Sequence, residues 1–162
     1  MIWDHIGILR KYIAEKSTWP FDDWSELLSQ TNCLAFALGL AVDLGDDYLD
    51  FGHLFETNSK LTKSDFSGTF ERLLTELDLQ WRKITSPDEA LNDEYIIQTY
   101  GLYDLDCFPY YDFHVIRRDL NGVWVHKPSF RYRPEIIEWK SFSLIYLPKD
   151  ICGIYAVKKK TP

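Results

Sequence analysis

Three observations predict an α+β domain. Apolar residues recur at helical spacing through the first two thirds of the chain. β-Branched and aromatic runs fill the last third, and no repeat or low-complexity linker divides the 162 residues. Strands that follow one another without long crossovers pair antiparallel. The expectation is therefore a single domain over 1–162, with N-terminal helices packed on a C-terminal antiparallel sheet. With 46% hydrophobic and 16% aromatic residues, a chain of this length builds a core without disulfides or metal.

The elements follow in order. Ile2, Ile6, Leu9 and Ile13 mark one helix, which ends before Pro20. A short second helix, "DDWSELLSQ", follows that proline. "TNCLAFALGLAVDLG" reads as a third, capped by Thr31 or Asn32, stopped at Gly45 and apolar nearly all round, so it should run buried through the core. Phe66, Phe70, Leu73, Leu74 and Leu77 form one face of a further helix, opened by Thr62 and Asp65 at capping-box spacing. "ITSPDEALND" is a loop. "EYIIQTYG", "DFHVIRR", "VWVHK", "SLIYL" and "GIYAVKK" have strand composition, whereas "PEIIEWKSF" fits a helical turn or a strand equally well.

Charge and composition exclude several partner classes. A net charge of −7 repels nucleic acid and anionic membranes. The longest apolar run, 33–42, is too short to span a bilayer, and the N-terminus lacks the basic start and small-residue cleavage site of a signal peptide. The expected location is cytoplasmic, with export by a dedicated machine left open. Cys33, Cys107 and Cys152 show no CxxC spacing and read as free thiols.

The chemistry concentrates in "DFHVIRRDLNGVWVHKPS", which holds His114 and His126 on either side of a turn. A two-residue Asn-Gly loop would put them on opposite sheet faces. A three-residue loop, Leu120 to Gly122, pairs position 126 with 116 and sets the histidines diagonally on one face, roughly 7–8 Å apart at Cα. Asp119 and Gly122 suit a type I turn with a glycine bulge, which favours the longer loop. Cys33, in the first turn after "TN", is the matching nucleophile, because backbone N–H groups at a helix start favour a thiolate. In that arrangement His114 is general base and acid, His126 orients it, and the Cys33 N–H supplies half of an oxyanion hole.

This order of residues resembles the NlpC/P60 branch of the papain-like cysteine peptidases. "NCLAFALG" stands where that family writes D-C-S-G-F, with Asn32, Cys33 and Phe36 at matching places, and "CLAFA" loosely resembles the C-x-W-Y-A run of CHAP amidases. The resemblance covers roughly 30–42 and 110–130. It implies a papain-like fold with a buried nucleophile helix on the sheet, a Cys33-His114-His126 triad, no cofactor and no metal. The departures are Asn32 for Asp, Leu34-Ala35 for Ser-Gly, "DFH" for Gly-His or Ser-His, and no tyrosine a dozen or so residues before the cysteine, where that family often has its second oxyanion donor. Gln30 is the simplest replacement, and Asn32 supports the nucleophile.

The expected function is thiol-dependent hydrolysis of a peptide or peptidoglycan-like amide through a thioester. The rival is a non-catalytic peptide- or protein-binding module on the same fold, using the aromatic segment 102–113 as a cleft wall. A thiol acyltransferase would need the same residues.

Overall fold

The strands β1 (Leu79–Ile84), β2 (Tyr95–Tyr103), β3 (Tyr111–Arg118), β4 (Trp124–His126), β5 (Glu135–Ile136) and β6 (Ile151–Lys159) form one antiparallel sheet. Their order is β1-β6-β2-β3-β4-β5. The computed structural model describes residues 2–15, 19–24, 31–40, 63–103, 111–128 and 132–160. Mixed α+β composition with an antiparallel sheet is what the periodicities predict.

Among the described residues, three helices cover one face of the sheet. In α1 (Ile2–Glu15), Ile6, Leu9 and Ile13 are buried at helical spacing. In α3 (Lys63–Glu76), Phe66, Phe70, Leu73 and Leu74 form the buried stripe. Between them in sequence lies α2 (Cys33–Ala37), with Leu34, Ala35, Phe36 and Ala37 enclosed. All three meet Leu79, Ile97, Val115, Tyr155 and Val157, which rise from four strands into one cluster. Burying an aromatic or aliphatic side chain of this size contributes roughly 1.5–3 kcal/mol, so this face dominates the stability.

The other face is covered by α4 (Trp139–Ile145), which packs Phe142 and Tyr146 onto Tyr100, Ile116 and Ile137. Here the strand expected at 143–147 is corrected. Glu138 accepts hydrogen bonds from the N–H groups of Lys140 and Ser141 and starts a helix, so β-branched content loses to a cap. "PEIIEWKSF" resolves as both of its alternatives in turn: β5, then the start of α4.

The long helix expected over 31–45 is also shorter than its composition suggests. It stops at Ala37, and Gly39 takes φ +67 against Pro20, a left-handed turn that ends the helix early. Gly45, Thr62 and most of "DDWSELLSQ" lie outside the described residues. The loop 84–93 contains one 3₁₀ turn, Pro87–Glu89, closed by a capping box between Ser86 and Glu89. Among the described residues, no helix is long and apolar enough to cross a membrane.

Candidate functional site

Strand β3 decides which side chains can meet. Its odd positions face the helical layer: Val115 joins the main cluster, and Arg117 donates a 3.1 Å hydrogen bond to the Phe36 carbonyl of α2. Its even positions face α4, where Ile116 packs with Phe142 and His114 stacks on Tyr146 at 4.4 Å between ring centres.

The turn between β3 and β4 takes the three-residue form. Gly122 N–H donates to the Asp119 carbonyl at 2.9 Å, Asp119 N–H donates to the Val123 carbonyl at 3.0 Å, and Gly122 has φ +85. Arg117 therefore pairs with Val125 and Arg118 with Trp124. Continuing that register sets His126 opposite Ile116, on the α4 face.

The two histidines meet there. His114 Nε2 lies 2.9 Å from His126 Nδ1, and His126 Nε2 lies 3.1 Å from Glu135 Oε1 on β5. Both rings are buried and packed against Phe142. Burial, with the neighbouring His126 second, pushes the His114 imidazole down to about 3. Burial also lowers His126, partly opposed by the hydrogen bond and charge of Glu135.

Cys33 is not part of this group. It opens α2, packs against the cluster containing Val115, and so lies across the sheet from His114. His114 makes its hydrogen bond to His126, not to the thiol. The structure brings His114 and His126 together and leaves Cys33 on the other side of the backbone layer. The physical reason is parity: α2 rests on the odd face of β3, and His114 holds an even position.

What faces Cys33 instead is Lys127. One residue beyond His126, it points to the α2 side. Its side chain is enclosed, with 0% exposure. Desolvation brings its ammonium down to about 8, opposed by the charge of Cys33, which draws it upward. In the sequence, Lys127 is only the polar end of the strand-like run "VWVHK". The alternation that placed His126 also placed its neighbour on the opposite face, and that was the available signal.

Asn32 acts as the helix cap, its Oδ1 accepting from Ala35 N–H at 2.8 Å. Its carbonyl is thereby committed, and its role is to position the Cys33 turn. Gln30 and residues 104–110 of the aromatic segment 102–113, including Cys107, lie outside the described residues. Cys152 is half-buried and outside any disulfide, and its sulfur approaches the Asp150 carbonyl at 3.7 Å.

No family model, curated protein or solved structure matches the chain.

Proposed function

We propose that the protein carries out thiol-dependent chemistry on amide bonds at Cys33, with Lys127 as its basic partner, on a papain-like plan of the NlpC/P60 type. The observation that carries this reading is the enclosed Lys127 on the same side of the sheet as the half-buried Cys33, close enough for the two charges to interact. Among the described residues, three helices precede all the antiparallel strands, an order compatible with that plan, and α4 falls between β5 and β6.

The chemistry follows from the pair. With Lys127 titrating at about 8, its ammonium predominates at neutral pH and favours the Cys33 thiolate. The sulfur attacks the amide carbonyl carbon, forming a C–S bond and moving the π electrons to oxygen. Collapse breaks the C–N bond, and the leaving amine takes a proton from Lys127. Neutral Lys127 then accepts a proton from water as that water attacks the thioester. Acid leaves, and the thiolate–ammonium pair is restored. An acceptor amine in place of water would make the same thioester an acyl-transfer intermediate. The Cys33 N–H, with Gln30 as second donor, is the proposed oxyanion hole. The substrate class is a peptide or peptidoglycan-like amide.

The test is iodoacetamide alkylation of each cysteine across pH, read by mass spectrometry on wild type, Lys127→Met and His114→Phe. Cys33 should react faster than Cys152 below pH 7, Lys127→Met should slow it roughly tenfold, and His114→Phe should leave it unchanged. Equal reactivity of Cys33 and Cys152 would overturn the reading. Loss of reactivity in His114→Phe would return the histidine triad.

A second reading, a binding module, rests on exposed Ile136, Trp139, Leu144 and Ile145, which gather on β5 and α4.

A further inference from the structure

The face away from Cys33 carries a chain of groups that the proposed chemistry does not use. Its protons can be placed. Glu135 is 60% exposed and, as a carboxylate, only accepts, so His126 donates from Nε2. A neutral imidazole has one N–H, which leaves His126 Nδ1 bare to accept from His114 Nε2–H. Both tautomers are therefore fixed.

The chain joins three elements. Glu135 belongs to the two-residue edge strand β5, His126 to the three-residue β4 and His114 to the long β3. Phe142 and Tyr146, on α4 and at its end, close over both rings. Short elements of this kind have few ladder hydrogen bonds of their own and depend on what lies beneath them.

We propose that His114, His126 and Glu135 form a proton-operated latch, which holds β5 and α4 on the sheet when both imidazoles are neutral and releases them in mildly acidic solution. The closed pair has room for one added proton, shared along the chain as a cation near Glu135. A second would set two N–H groups against each other at the 2.9 Å contact. Open, each imidazole is free to bind a proton in water. Protons therefore favour the open form. Burial of His114 among aromatic rings, which opposes its charging, acts in the same direction.

The surroundings offer little to offset this. From β2, Tyr100 lies directly opposite His114, with Gln98 hydrogen-bonded to its hydroxyl. From the end of α4 the ring of Tyr146 stacks on His114, and from β5 comes Glu135. Asp112 holds the same-face position before His114 on β3, and Arg118 holds the far end of that face, opposite Trp124. Lys127 points to the other side.

Hydrogen exchange by mass spectrometry on the full chain tests the latch, with rates corrected for intrinsic pH dependence. Below about pH 6.5, opening of the segment 137–146 should rise up to about tenfold per unit for each proton taken up, while segments in α3 and β6 stay protected. His114→Phe should flatten that slope. Glu135→Gln, an exposed change that spares the core, removes the charge that offsets imidazolium in the closed form. It should raise opening several-fold at about pH 5.5. Nitrogen-15 spectra of the wild-type histidines at neutral pH should show both imidazoles protonated at Nε2. The latch is overturned by an Nδ1–H tautomer at either ring, by pH-independent exchange of 137–146, by an unchanged slope in His114→Phe, or by α3 opening in step with α4.

Discussion

Arg117 Nε lies 2.8 Å from Asp119 Oδ1, and neither side chain meets solvent. Arg117 also donates to the carbonyls of Phe36 and Phe21, and Asp119 Oδ2 accepts from Trp24 Nε1 at 3.4 Å. Burial lowers the guanidinium and raises the carboxyl, each partly offset by the other's charge. Such a pair contributes more to position than to net stability. Here it ties α2, and with it Cys33, to the end of β3.

Removing one partner leaves a buried charge unpaired. Asp119→Ala should cost about 3–5 kcal/mol in urea unfolding. Leu120→Ala, at an exposed position of the same turn, should stay within about 0.5 kcal/mol. Equal effects of the two changes would argue against a buried ion pair.

Lys127 is expected to serve the thiol at the expense of the fold. Lys127→Met replaces an enclosed ammonium with an apolar chain of similar length, so the melting temperature should hold or rise while Cys33 loses its reactivity. Calorimetry and alkylation on the same sample check both halves. A sharp drop in melting temperature would make Lys127 a structural residue.

Acid should weaken the protein through the histidines. The native pKa of His114 lies below the ordinary value of 6.5, so the unfolded chain binds the proton first. Its contribution is complete above 6.5 and is lost as pH falls from there toward about 3. The slope is up to about 1.4 kcal/mol per unit for one proton. Urea midpoints between about pH 7.5 and 5 should decline in wild type and less so in His114→Phe.

Two left-handed glycines separate strain from contact. Gly39 has φ +67, and an added Cβ would sit 3.0 Å from Pro20 Cα and Cβ, whereas Gly122, at φ +85, has open space. Alanine should cost about 1–2 kcal/mol at Gly122 from backbone strain alone. It should cost more at Gly39, where the Pro20 segment must also shift. Similar losses at both sites would mean that the Pro20 contact yields freely.

The residues that announced themselves did so through local chemistry. Asp119 and Gly122 gave the turn, the turn gave the register, and the register gave the shared face of His114 and His126. Nothing local says which face α2 covers, because that is settled by how helices pack across the whole sheet. Cys33 was accordingly matched with the more familiar imidazole. Strand β1 escaped notice because Gln80, Arg82 and Lys83 put polar groups along an edge strand that buries mainly its two ends. "SLIYL" misled for the opposite reason, since Leu144 and Ile145 are apolar yet lie on the exposed side of α4.

The three-residue turn has a consequence for how this protein could change. The last residue of β4 carries an imidazole and the next residue an amine, one toward each face. Because the turn fixes where pairing begins, losing one residue between it and His126, either Trp124 or Val125, would exchange them, bringing His126 to the thiol and sending Lys127 beneath α4. For this hairpin, a single-codon deletion is a larger chemical event than most substitutions along the strand. It replaces a base that titrates at about 8 with an imidazole, and it dismantles the histidine pair at the same stroke.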